Sequence, residues 1–458
     1  MGLFMAPTVE AISLPFSESL IGWADRFSHL PGFAYLDNGA YSDSAEFELL
    51  TALPTETFRL QDYSGALGEW MAAIEAALED PNATANEPPD SPLTSGRLVI
   101  GSLDYDAAAA HLQGTKNQQS TSTAGLYHWA LISDLKQNRT EALFHDQCPE
   151  STRKRVHALL HAAHVPAKPR FELAEPFSSS ISKDMYRQSI ATIHDYILSG
   201  DCYQVNFAQR FAAGIKGDSW AAYRVVREGL AGGFSGFLRI TADHSILSLS
   251  PERFLTVRNG LVTTQPIKGT APRHADPIQD AALARALSAS AKDRAENVMI
   301  TDLLRNDLGQ FCLPGSVLVT ELCGLRSFSN VHHLISTVEG TLRADISPGQ
   351  LLLATSPGGS ITGAPKRRAV EIIAELESHP RGAYCGSIFV MIGSQLLQSS
   401  IAIRTLESKA GTLVCWGGGG ITASSLWESE YQETLDKVGP IMSLLERASQ
   451  CSGSSIPS

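Results

Sequence analysis

The stretch Thr264-Gln265-Pro266-Ile267-Lys268-Gly269-Thr270 places one lysine at the end of a strand-like run, followed by a glycine and a hydroxyl. Just upstream, Leu247-Ser248-Leu249-Ser250-Pro251-Glu252-Arg253-Phe254 puts a carboxylate on an adjoining strand, and Arg258-Asn259-Gly260 between them reads as a hairpin turn. A lysine and a glutamate at neighbouring strand ends make either a nucleophile with its proton donor or an ordinary ion pair. Read alone, the stretch favours the ion pair.

Other charged residues recur at spacings with chemical meaning. Asp293 and Glu296 share one face of a helical stretch running from about 277 to 310, and Glu430 and Glu433 do the same on the last helix, with Lys437 one turn further on. Such like-charge pairs ask for a cation. Magnesium, a hard ion that takes carboxylate and water oxygens, is one answer. Solvated helix faces balanced by Lys292, Arg294 or Lys437 are the other, and spacing alone favours them. The glycine-rich segment from Ser356 to Lys366 fails the phosphate-loop pattern because Gly363 is followed by Ala364. A second, Trp416-Gly417-Gly418-Gly419-Gly420, is expected between a strand and the last helix. Each reads equally as an anion-binding backbone or a tight turn. Arg404 is a charge in an otherwise apolar strand pattern, which implies a partner or a ligand. Adjacent His332 and His333 would face opposite sides of a strand, so at most one serves a given site.

The elements that must carry these residues follow from composition and periodicity. A chain of 458 residues, 43% hydrophobic and 18% charged, can build a substantial soluble core, and a net charge of -12 argues against a nucleic-acid surface. Basic clusters such as Arg153-Lys154-Arg155 and Lys366-Arg367-Arg368 read as solvated helix faces. Seven scattered cysteines without C-x-x-C spacing indicate a reducing compartment. The N-terminus lacks a basic region and an apolar core, and no run approaches the ~18 apolar residues of a membrane span, so a cytoplasmic protein is expected. Proline and serine mark a crossover near 166–180, dividing an N-terminal region, 1–175, from a region 182–447 in which strands alternate with helices. The last helix is expected to start near Ser424 or Ser425 and end before Pro440, leaving 448–458 as a flexible tail.

Together the motifs CYQVNFAQRF, SPERF, QPIKGT, AKDRAENVMITDLLRNDLG, VHHLIST, SPGGSITGAPKRRAVEII, YCGSI, IAIRTL, GGGGI and EYQETLDKVGPI resemble the chorismate-utilising enzymes. The likeness is dense from about 182 to 445. It is weaker in FSHLPGFAYLDNGAYS and GLYHWALISD, which resemble the N-terminal region of anthranilate synthase component I. The resemblance implies an α/β (α+β) fold: a large antiparallel β-sandwich with peripheral helices, chorismate-binding over 182–447. It also implies chorismate as substrate and Mg2+ as cofactor. Carried over by position, Glu296 and Glu433 would ligate the ion, with Asp293 and Glu430 holding its waters. Tyr384, Arg404, the Gly418 and Gly419 amides and Lys437 would bind the substrate's carboxylates, His333 would sit near the ring and its leaving group, and Thr270 would line the site beside Lys268.

Lys268 selects the branch of the family. Anthranilate-forming members carry alanine there, whereas a lysine resembles the members that convert chorismate and ammonia to 4-amino-4-deoxychorismate for p-aminobenzoate and folate biosynthesis. In those members the lysine attacks ring carbon 2 as hydroxyl leaves carbon 4; ammonia then adds at carbon 4 and the lysine departs. This demands a neutral amine, against an ordinary lysine pKa of ~10.4, and a proton donor for the hydroxyl, for which Glu252 is the candidate. Cys385, in YCGSI, lacks a nucleophile-elbow context, so ammonia is expected from a separate glutamine amidotransferase subunit. Leu36, Asp37 and Asn38 align with a segment near which some members hold tryptophan, but depart from its usual form. The competing readings are an anthranilate or isochorismate synthase, and a non-catalytic ligand-binding relative.

Overall fold

The computed structural model describes residues 9–37, 47–79, 97–162, 168–230, 232–328, 331–393 and 396–453. Its local geometry follows the turn chemistry of the sequence. Asn259 and Gly260 both take positive φ, 51° and 79°, as a two-residue hairpin turn requires, and join the antiparallel strands Arg253–Arg258 and Leu261–Thr264. The single strand expected over 261–267 is instead divided, because Pro266 has no N–H to give a ladder. A new strand, Ile267–Pro272, starts beyond it, so Lys268 lies near the beginning of a strand and not at the end of one. The expected helix over 277–310 is likewise two helices, Pro277–Ala289 and Ala291–Gly309. Ser290 interrupts them in an extended conformation and caps the second, its hydroxyl accepting from the Asp293 N–H at 3.3 Å.

Among the described residues the strands form two sheets, of 13 and 10 strands, whose described pairings are antiparallel. Aliphatic residues from one sheet (Ala34, Leu49, Ile132) and the other (Leu98, Ile100, Val390) share one buried cluster, so the sheets stack face to face as a sandwich. Both sheets run across the 175–182 boundary: Ala34–Asp37 pairs with Phe234–Arg239 in the larger, and Leu98–Leu103 with Ser387–Ile392 in the smaller. The N-terminal region and the rest therefore share their sheets.

Two sheet-to-sheet crossings lie side by side. The chain leaves the larger sheet at the end of His244–Ser250, passes through Pro251 and Glu252, and enters the smaller as Arg253–Arg258. It returns between Leu396–Ile401 and Thr405–Lys409, through Arg404. Hydrogen bonds from Ile401 N to Glu252 O (3.2 Å) and from Leu249 N to Arg404 O (3.1 Å) tie the crossings together. Arg404 is thus not within a strand but in a tight connection, at φ 50°.

The last helix, Trp427–Gly453, carries through Pro440, past the expected stop and past 448, where a tail was expected. The glycines at 417–420 lie inside the strand Thr412–Ile421 and not in a loop after it, and the helix packing accounts for Gly417. A Cβ at Gly417 would approach the Thr434 carbonyl oxygen to 2.5 Å, so glycine lets the helix backbone lie directly on the strand. Lys366, read as part of a solvated face, is turned inward to Asp307 at 2.6 Å and joins the helices Lys366–Leu376 and Ala291–Gly309.

Candidate active site

Lys268 pairs in register with Leu334 on the strand Val331–Thr341, and a bulge at Gly269 separates this pair from Thr270 opposite His333. Gly269 has φ 80°, and a Cβ there would lie 3.0 Å from the Asp293 Cβ, so the bulge brings the lysine strand against the first turn of the helix Ala291–Gly309. Lys268 is partly buried and donates to the Ser360 carbonyl oxygen at 3.3 Å. Desolvation lowers its pKa, and the nearby Lys437 charge lowers it further against the opposing pull of Glu252. Glu252, buried at the crossing, accepts a hydrogen bond from the Ser360 hydroxyl at 2.9 Å, and burial raises its pKa. A base is thereby pushed toward neutrality beside an acid pushed toward retaining its proton, the condition needed for a nucleophile and its proton donor.

His333 Nδ1 is 2.9 Å from the Thr270 hydroxyl. Its buried Nε2 has no hydrogen-bond partner among the described residues. Burial and then the Arg404 charge bring its pKa down to about 4, so the imidazole is neutral near pH 7. His332, on the other face of the strand, is held by Ser327 and Asp280 and belongs to the framework. Tyr384 is buried and stacked parallel to Trp416, ring centres 5.9 Å apart, and a Cβ at Gly418 would come within 3.0 Å of its hydroxyl.

The two glycines expected to present amides differ. Backbone groups alternate in direction along an antiparallel pair. Ala208, opposite Gly418, sends its N–H away from this strand to Glu377, so the backbone groups of Gly418 also face outward, and its carbonyl accepts from Lys437 at 2.8 Å. Gly419, opposite Phe207, faces the ladder. What Gly419 contributes is space: a Cβ there would sit 3.1 Å from Glu430 Oε2 and 3.4 Å from Glu433 Oε1.

The four acidic side chains expected at a metal come from two helices, and Glu296 of one lies within electrostatic reach of Glu433 of the other. Burial raises the pKa of Glu296, with the charges of Asp293 and Glu433 acting in the same direction, and Glu430 is raised by burial and by Glu433. Ser425 donates to Glu430 Oε1 at 2.7 Å, and Lys437 to Glu433 Oε1 at 2.6 Å. Among the described residues no three such side chains are gathered tightly enough to hold an ion as they stand. The donor type fits a hard divalent cation nevertheless: these are carboxylates that repel one another beside a glycine-cleared space.

Three residues of this region escaped the sequence reading. Ser360 was visible only as part of a glycine-rich loop. Arg381, fully buried, pairs with Glu377 at 2.7 Å and lies over Tyr105 and Tyr384, while Asn297 donates to the Leu334 carbonyl oxygen. A charge after a helix and an amide within one carried no periodic signal. Of the segment expected to hold an effector, Leu36 and Asp37 lie in the strand Ala34–Asp37, with Asp37 engaged by Arg227, and Asn38 is outside the described residues. Burial pushes the Cys385 thiol up to about 12, away from the thiolate form.

The model of the chorismate binding enzyme family matches residues 39–443. The chain belongs to that family. Aminodeoxychorismate synthase component 1 of Klebsiella aerogenes is 43% identical over 379 residues, covering 82% of this chain and 83% of its own length. The protein of the same name from Escherichia coli strain K12 is 39% identical over 439 residues, covering 92% and 95%. Among solved structures, anthranilate synthase component I from Streptococcus pneumoniae TIGR4 superposes with a TM-score of 0.74 at 27% identity, covering 87% of this chain and 92% of that one.

Proposed function

We propose that this chain is the chorismate-aminating component of an aminodeoxychorismate synthase. The observation that carries the reading is Lys268, desolvated and linked through Ser360 to the buried Glu252. The relatives named aminodeoxychorismate synthase component 1, at 39% and 43% identity over most of the chain, support it. The neutral Lys268 amine attacks carbon 2 of chorismate, the two ring double bonds shift in turn (C1=C2 to C1=C6 and C5=C6 to C4=C5), and the bond from carbon 4 to its hydroxyl breaks. Glu252 gives its proton to that oxygen, which leaves as water, and the resulting carboxylate takes the surplus proton of the alkylated lysine nitrogen. Ammonia then bonds to carbon 4 and the double bonds shift back, as Glu252 returns the proton to the lysine nitrogen, which departs from carbon 2 with the electron pair as a neutral amine. Neutral His333 stands beside the strand that carries the nucleophile, and Arg404, Lys437 and the Gly418 backbone meet the carboxylates.

Glu296 and Glu433 would ligate magnesium, with Asp293 and Glu430 holding its waters. When bound, the ion supplies positive charge for an anionic substrate. The designation component 1 fits a separate second component, and a glutamine amidotransferase is the partner that would supply ammonia. Purified protein incubated with chorismate, magnesium and ammonium should release a product with the mass of 4-amino-4-deoxychorismate, and a chelator should abolish the release until magnesium is restored. Pyruvate release with anthranilate, or water addition giving isochorismate, would contradict the reading.

A further inference from the structure

Ser360 sits in the loop that looked like a phosphate-binding segment, in the short 3-10 turn Gly359–Ile361, and is 5% exposed. Its two oxygens address different residues. The carbonyl oxygen accepts from Lys268 Nζ at 3.3 Å, and the hydroxyl donates to Glu252 Oε1 at 2.9 Å. The turn is held from several sides: Arg381 Nη1 donates to the Ile361 carbonyl oxygen at 3.2 Å, and Thr362 Oγ1 donates to the Gly358 carbonyl oxygen at 3.0 Å. A Cβ at Gly359 would lie 2.4 Å from Leu303 Cδ2, so the turn packs closely on that side chain.

We propose that Ser360 is a positioning residue that sets the nucleophile and its proton donor as a pair. A neutral amine donating one N–H to the carbonyl turns its lone pair away from Ser360. A hydroxyl donating to Oε1 leaves Oε2 as the oxygen that carries and delivers the proton. The hydroxyl keeps its bond after Glu252 ionises and strengthens it, because a bond to a carboxylate exceeds one to a neutral acid. Ser360 thus stabilises the state reached when the carbon 4 oxygen leaves as water. The charges facing Glu252 are Lys268 and Lys437, and the Ser360 bond acts with them in lowering its pKa.

The inference rests on the amination reading, and one set of assays separates the two. Ser360→Ala removes the hydroxyl and keeps the carbonyl. With saturating ammonium and magnesium its kcat should fall about ten- to hundredfold with KM for chorismate little changed. The alkaline limb of its pH profile should move upward, because Glu252 holds its proton more tightly without the bond. Ser360→Thr, which retains a hydroxyl, should recover most of the rate, and in a Glu252→Gln background Ser360→Ala should cost little more. A folded Ser360→Ala variant with unchanged kcat and pH limb, or equal losses in both backgrounds, would overturn the positioning role alone. Wild-type protein unable to aminate chorismate would overturn the reading beneath it and the positioning role with it.

Discussion

Two of the places where acidic and basic side chains are buried together, around Arg227 and around Lys268, are answered differently. Arg227 pairs directly with Asp37 and donates to the Ser19 hydroxyl at 3.0 Å. Its neighbour Glu48 accepts from the Leu20 N–H at 2.7 Å and from the Tyr35 hydroxyl at 3.0 Å. Around Lys268 the bonds are few: one to a carbonyl oxygen, one from a hydroxyl to Glu252, and a histidine nitrogen left open. Directly paired buried charges hold a structure in register, and breaking them is costly. Buried groups displaced toward their uncharged forms and held by single bonds are available for reaction.

Substitutions at each place should separate reactivity from stability. Glu252→Gln removes the proton donor while keeping the shape and should lower kcat about 10²- to 10⁴-fold, with the urea midpoint nearly unchanged. A variant that unfolds early and retains its rate per folded molecule would make Glu252 structural. Arg227→Ala should do the reverse, destabilising by about 3–5 kcal/mol in urea titration while leaving the kcat of the folded fraction near wild type. The smallest effect is a pH slope. Burial and the Asp37 charge push Glu48 up to about 8 from its ordinary 4.5. A carboxyl whose folded pKa is raised contributes stability that is full below the ordinary value and is lost as pH rises through the folded one. Melting temperatures followed from about pH 5 to pH 9 should therefore decline in wild type and decline less in Glu48→Gln.

Much of the site was legible in the sequence because its residues sit in motifs with local signals. Asn259-Gly260 announced the hairpin that places the lysine strand, and Asp293 with Glu296, and Glu430 with Glu433, announced their helix faces. The misses are places where a distant neighbour decides. Pro440 is tolerated within a helix that packs on the strand Thr412–Ile421, and glycines that looked like a loop lie in that strand, with Gly417 clearing room for the helix backbone. Arg404 looked like a strand residue until its strand was found to end at Ile401 and the chain to change sheets. Ser360 lies 92 residues from Lys268 and 108 from Glu252, separations at which no periodicity carries information.

During turnover Lys268 should itself form a bond to the substrate. Protein quenched in acid during turnover with chorismate and magnesium, with ammonium withheld, should gain the mass of chorismate less one water, and peptide mapping should place it on Lys268. Lys268→Ala should gain none and aminate nothing. An unmodified lysine throughout turnover, together with a Lys268→Ala variant that still makes the amino product, would contradict the account.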